Sequence, residues 1–113
     1  MSNLLHSGFR WNGVKFSSVK DLLSHARTEY PETISFLNAW FSADGLIGVR
    51  TSGSTGSPKT MQLRREQMIR SARATGAYFG LGAGARALHC LPVEYIAGKM
   101  MLVRAMVLGW DFP

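Results

Sequence analysis

The sequence has a single cysteine, Cys90, so no internal disulfide can form, and a reducing cytoplasmic compartment is the expectation. It also lacks a long apolar run. Lys99 and Arg104 interrupt its most hydrophobic stretch, well short of the roughly 18 residues that a membrane span needs. No basic-then-apolar signal pattern opens the chain, and internal repeats are absent. Acidic residues are scarce, 7 Asp and Glu against 13 Lys and Arg. The imbalance is local: residues 1–50 carry five basic and four acidic side chains, whereas residues 51–113 carry eight and three. An anionic partner for the second half accounts for this, and so does an acidic surface elsewhere in a larger protein. Nucleic acid is the generic anionic partner, but the basic residues form no dense run and aromatics are not interleaved with them, which argues against it.

What is present reads as one globular domain at most. A chain of 113 residues with 46% hydrophobic content buries perhaps two-thirds of its unfolded surface, enough for one modest core. Phe9-Arg10-Trp11 and Val14-Lys15-Phe16 alternate around Asn12-Gly13, a strong hairpin signal because both turn positions accept positive φ. Ser17 or Ser18 then caps a helix through about Ala26, with Val19, Leu22 and Leu23 inward. Pro31 opens a second helix with Ile34, Leu37 and Phe41 on one side and Phe36 and Trp40 beside them. His6 and His25 are isolated and read as surface residues.

Leu46-Ile47-Gly48-Val49 reads as a strand, and Met61-Gln62-Leu63 as a second short one. A helix follows from about Arg64 to Phe79, with Met68, Ile69, Ala72 and Phe79 inward, the arginines mostly outward, and Gly80 suited to a left-handed C-cap. Arg86 to Leu91 reads as a buried strand closed by Pro92. Within it His89 and Cys90 are adjacent, so they face opposite sides and form neither a shared metal site nor a nucleophile–base pair. The last helix, about Glu94 to Leu108, is apolar almost all round and calls for cover on several sides. The sequence leaves nothing after Trp110-Asp111-Phe112-Pro113 to supply that cover, so self-association is expected.

Between the two short strands lies Thr51-Ser52-Gly53-Ser54-Thr55-Gly56-Ser57-Pro58-Lys59-Thr60. Glycines let backbone N–H groups converge on phosphate oxygens, hydroxyls add donors that need no change of protonation, and the lysine adds a mobile positive charge. At about 4 Å and an effective dielectric near 20, one such charge pair is worth roughly 4 kcal/mol before desolvation. Gly53 to Thr60 fits the Walker A pattern except that Pro58 stands where the second glycine belongs. Proline removes a donor and fixes φ, and the next helical pattern starts late, so the stretch is not a Walker loop.

Residues Thr51 to Lys59 instead resemble the phosphate loop T-S-G-[ST]-T-G-x-P-K-G of the adenylate-forming superfamily of acyl- and aryl-CoA ligases; Thr60 departs from its final glycine. Leu91-Pro92-Val93-Glu94-Tyr95-Ile96-Ala97-Gly98 resembles that superfamily's acyl-pocket motif, roughly L-P-L-x-H-x-x-G, with Tyr95 in place of the commoner histidine. Tyr95 to Met101, Tyr-Ile-Ala-Gly-Lys-Met-Met, is similar to the short o-succinylbenzoate-CoA ligases of menaquinone synthesis, in which few residues precede the phosphate loop. The likeness is loose before residue 33 and close from Phe36 onward.

The resemblance implies an α/β fold: the N-terminal part of the large domain of an adenylate-forming enzyme, a strand-loop-helix-strand-helix core preceded by a β-hairpin and two helices. Residues 1–113 would be one incomplete domain, with the C-terminal lid domain absent. It implies ATP, Mg2+ and coenzyme A as cofactor and substrates, with a small carboxylic acid as partner. Thr51, Ser52, Gly53, Ser54, Thr55, Gly56, Ser57 and Lys59 would hold the ATP phosphates. Tyr95, Gly98 and Lys99 would border the acid, with Lys99 and Arg104 as candidates for a second carboxylate on it. No residue of this chain is assigned a catalytic role, and the chain alone is expected to be inactive, because the superfamily's adenine, ribose, hinge and C-terminal lysine motifs have no counterpart in it. Another acyl- or aryl-CoA ligase, or a stand-alone nucleotide-binding module, remains open.

Overall fold

The computed structural model describes residues 4–50, 60–86 and 96–112. The first hairpin forms as its turn chemistry requires. Asn12 and Gly13 take φ of 52° and 82°, and β1 (Arg10–Trp11) pairs antiparallel with β2 (Val14–Lys15). Helix α1 (Val19–Glu29) starts at Ser18, whose hydroxyl accepts from the Asp21 N–H, and buries Leu22 and Ala26. Pro31–Thr33 forms a 3₁₀ turn that leads into α2 (Ile34–Trp40), which buries Phe36, Leu37 and Trp40. His25 is half-buried, 5.3 Å from the Phe16 ring and 5.9 Å from the Tyr30 ring, which corrects its reading as a surface residue.

Strand β3 (Leu46–Arg50) and strand β4 (Thr60–Arg64) form an antiparallel ribbon in register from Leu46↔Arg64 to Arg50↔Thr60. Ile47 and Val49 point into the core and are fully buried, while Leu46, Gly48 and Arg50 face outward. Helix α3 (Arg65–Phe79) buries Met68, Ile69, Ala72 and Gly76, and Gly80 caps it at φ 67°. Phe79, expected inward, is 64% exposed. The close packing of α3 on helix α4 (Ile96–Leu108) ends near Gly76, where an added Cβ would stand 2.9 Å from the Leu108 side chain, and the last turn runs past the core.

The cover that α4 calls for comes from the chain itself. Leu102, Val103, Ala105 and Met106 are fully buried in one cluster with Leu5, Trp40, Ile47 and Met68. Among the described residues the large exposed apolar side chains, led by Tyr78 and Phe79, lie elsewhere. After α4, β5 (Asp111–Phe112) pairs parallel with β1, giving the sheet order β2-β1-β5. Arg86, the first residue of the expected strand at 86–91, bridges to Asp111 on the far side of β5, and the rest of that strand lies outside the described residues. No helix of the described residues is long and apolar enough to cross a membrane.

Candidate functional site

Residues 51–59 join the two strands of the β3–β4 ribbon, and the Arg50↔Thr60 pair brings the two ends of that nine-residue segment side by side. The ribbon is short but held along its inner face and at one end. Ile47 and Val49 hold its inner side in the core, and β4 runs directly into α3. Of the candidate phosphate-binding residues, Thr51, Ser52, Gly53, Ser54, Thr55, Gly56, Ser57 and Lys59 lie outside the described residues, as do Tyr95, His89 and Cys90.

The opposite end of the ribbon is tied down by an arginine that the helical pattern placed outward. Arg65 Nη1 donates to the carbonyl oxygens of Trp40 at 2.7 Å and Ser42 at 2.6 Å, and its backbone N–H donates to the Gly45 carbonyl at 2.8 Å. The α2–β3 turn therefore needs a guanidinium to satisfy its carbonyls, and periodicity carries no such signal. Asp44 completes the turn by accepting from the Leu46 N–H at 3.1 Å and the Ser42 hydroxyl at 2.9 Å. These bonds, together with the Arg65 charge, hold the Asp44 carboxyl below its ordinary value, the Leu46 N–H being the largest cause. A carboxyl lowered on folding stabilises the fold above the unfolded value, about 4, and that contribution is lost as pH falls through the lower folded value. In thermal melts, Asp44→Asn is expected to melt below the wild type at pH 6 and to converge with it below about pH 4.

The second motif is partly within the described residues. Gly98 and Lys99 sit in the first turn of α4, and both are buried. Lys99 is only 8% exposed, and its ammonium lies 6.0 Å from the centroid of the Phe36 ring. It lines a cleft of about 430 Å3 together with Ser35, Phe36 and Ala39 of α2, Ile47 and Gly48 of β3, and Glu32. The fold thus sets Lys99 against the strand that leads into the 51–59 segment. Arg104, paired with Lys99 in the sequence reading, does not line this cleft. Its Nη1 lies 3.8 Å from Met101 Sδ, and its buried Nε has no hydrogen-bond partner among the described residues. Phe36 and Gly48 were missed as site residues. The signal available for Gly48 was a glycine inside a strand pattern.

Among the described residues no three His, Cys, Asp or Glu side chains come together as metal ligands. The Mg2+ that the resemblance implies is a nucleotide-bound ion, held largely by substrate phosphates and water, and needs no such cluster.

No family model and no curated protein matches the chain. Solved structures do. The acyl-CoA synthetase (AMP-forming)/AMP-acid ligase II-like protein from Dyadobacter fermentans DSM 18053 is similar at 39% identity and a TM-score of 0.71, over 85% of this chain and 28% of that one. VinN in complex with L-aspartate is similar at 19% identity and a TM-score of 0.52, over 77% of this chain and 24% of that one, a likeness of fold alone. The class is therefore a mixed α/β piece of the AMP-forming ligase fold. Within that class, the likeness is to the acyl-CoA synthetase/AMP-acid ligase II-like protein, of which the chain spans 28% of the length.

Proposed function

We propose that these residues form the part of an acid-CoA ligase that grips the ATP phosphates while o-succinylbenzoate is activated as its acyl-adenylate, before coenzyme A displaces AMP in cytoplasmic menaquinone biosynthesis. The observation that carries this reading is the β3–β4 ribbon, which brings together the ends of the segment spelling T-S-G-S-T-G-S-P-K, in a chain 39% identical to an AMP-forming synthetase-like protein.

In the first half-reaction the carboxylate attacks the α-phosphate, and negative charge gathers on the departing pyrophosphate. Donors aimed at the β- and γ-phosphates stabilise that charge more strongly than they stabilise the ground state. The hydroxyls of Thr51, Ser52, Ser54, Thr55 and Ser57 and the ammonium of Lys59 are such donors, and Gly53 and Gly56 let the backbone approach. The Arg50↔Thr60 pair fixes the two roots of the segment beside one another, so both of its ends reach the same anion. Tyr95 and Gly98 would border the acid.

The test is pyrophosphate exchange driven by o-succinylbenzoate, run on the 113-residue chain and on the product of the intact gene. Exchange is expected from the gene product and not from the 113 residues alone. In that product Lys59→Ala with Thr55→Ala should lower the rate by about 100-fold or more. Full exchange after both substitutions would sink the assignment. Sub-millimolar ATP binding by the 113-residue chain in titration calorimetry would favour a stand-alone nucleotide-binding module instead.

A further inference from the structure

The outer face of the β2-β1-β5 sheet carries a row of charge that is not balanced among the described residues. Trp11 and Phe112 turn into the core, so Arg10 and Asp111 stand on the other face, with Lys15 opposite Arg10 and Arg86 bridged to Asp111. The row therefore reads Lys15, Arg10, Asp111, Arg86. Its carboxylate is engaged by Arg86, whose Nε lies 3.7 Å from Asp111 Oδ2, and among the described residues neither Arg10 nor Lys15 has an ion-pair partner.

Arg10 and Lys15 are also as close as an antiparallel pair brings two side chains. The Arg10 N–H donates to the Trp110 carbonyl at 3.1 Å, toward β5, which makes Arg10↔Lys15 a pair without mutual hydrogen bonds, with Cα atoms about 4.5 Å apart. Like charges placed directly opposite destabilise a sheet. An anion seated between them replaces one repulsion by two attractions. Both side chains open onto a cleft of about 350 Å3 whose other walls are Gly8, Ala83, Gly84 and Asp111, a volume within the range of small-molecule sites.

We propose that this cleft binds a phosphate group in its dianionic form, with the Arg10 guanidinium taking two of its oxygens and the Lys15 ammonium a third. A guanidinium fork matches phosphate bidentately, and an ammonium serves beside it as a point charge. Two cations this close suit two negative charges on one compact group. The site is separate from the ligase centre proposed above. Arg10, Asp111 and Arg86 open β1, β5 and the expected strand at 86–91, so the row lies at the amino ends of parallel strands, whereas open α/β sheets bind their ligands beyond the carboxyl ends. None of the residues lining it belongs to the 51–59 segment or to the Lys99 cleft. The inference therefore stands without the ligase reading.

The experiment is a nitrogen-15 NMR titration of the 113-residue chain at about pH 7.5 with methyl phosphate, a dianion there because the second ionisation of a phosphate ester falls at about 6. Methyl sulfate is its singly charged counterpart. Methyl phosphate is expected to shift the Lys15 and Gly84 amides and the Arg10 Nε–H saturably, with a dissociation constant of about 1 mM because both cations are exposed to water. Methyl sulfate, Arg10→Gln and Lys15→Gln should each weaken binding about tenfold. The two variants should melt no lower than the wild type, since each removes a like-charge repulsion. Lys59→Ala and Arg73→Gln, the latter an exposed cation on α3, should leave the shifts unchanged. Inorganic phosphate separates the two sources: tighter methyl phosphate assigns a phosphate ester, tighter inorganic phosphate the free ion. No saturable shift at Lys15 and Gly84, methyl sulfate binding as well as methyl phosphate, unchanged affinity in both Gln variants, or equal weakening by Arg73→Gln would each overturn the proposal. Shifts confined to residues 51–59 would also overturn it while leaving the ligase reading intact.

Discussion

Trp40→Ala is expected to lower unfolding free energy by about 4 kcal/mol, a large part of what a domain of this size commands. Trp40 is fully buried, its indole N–H donates to the Leu4 carbonyl at 3.1 Å, and its ring packs on Phe36 at 6.1 Å. Its backbone carbonyl is also one of the two that Arg65 satisfies. Removing the indole leaves a cavity at the place where α2, the N-terminal segment and the base of the β3–β4 ribbon meet. Trp40→Phe keeps most of the ring but loses the indole hydrogen bond to the Leu4 carbonyl, so a smaller loss of about 1–2 kcal/mol is expected. Urea titration followed by far-ultraviolet circular dichroism gives both values. Equal losses for the two variants would mean that the hydrogen bond, and not the packing, dominates.

Gly109→Ala is expected to cost about 3 kcal/mol, from left-handed backbone strain together with displacement of a hydrogen-bonded histidine. Gly109 ends α4 at φ 78°, and a Cβ there would collide with His6 Nδ1. Moving the ring aside breaks the hydrogen bond that its Nδ1 accepts from the Gly8 N–H at 2.8 Å, while the backbone N–H of His6 stays bonded to the Met106 carbonyl at 2.6 Å. The double variant His6→Ala with Gly109→Ala separates the two causes. If the clash contributes, the pair loses less than the sum of the single losses; strict additivity would leave backbone strain alone. His6 is exposed as its sequence context suggests, yet it serves as the lid on a helix terminus.

How much of this was legible in the sequence follows the range of the interactions. The hairpin at Asn12-Gly13, the cap at Ser18, the start at Pro31 and the stop at Gly80 all rest on contacts within a few residues, and each is where the local chemistry places it. The long-range features were not legible. Arg65 looked like part of a solvated face because its partners, the Trp40 and Ser42 carbonyls, are more than twenty residues away. Phe79 fitted the inward stripe of α3, but where a helix leaves the core is decided by its neighbour, here Leu108 against Gly76. The last helix seemed short of cover because no local pattern says that residues near both ends of the chain will close over it. For the candidate site, the run from Thr51 to Lys59 stood out by composition. The cleft could not, because Phe36, Gly48 and Lys99 come from three separate elements and share no spacing.

The pairing of β1 with β5 has a consequence for the order of assembly. Arg10 and Trp11 find Asp111 and Phe112 from about a hundred positions away, a closure that costs roughly 4 kcal/mol of chain entropy in addition to a constant. A two-residue strand cannot offset that by itself, so the β2-β1-β5 sheet is expected to form only after α3 and α4 have docked. During synthesis, the opening hairpin would wait, with Trp11 stacked on Tyr30 and Phe9 on Phe16 but the open edge of β1 unpaired, until the segment around Trp110 has left the ribosome.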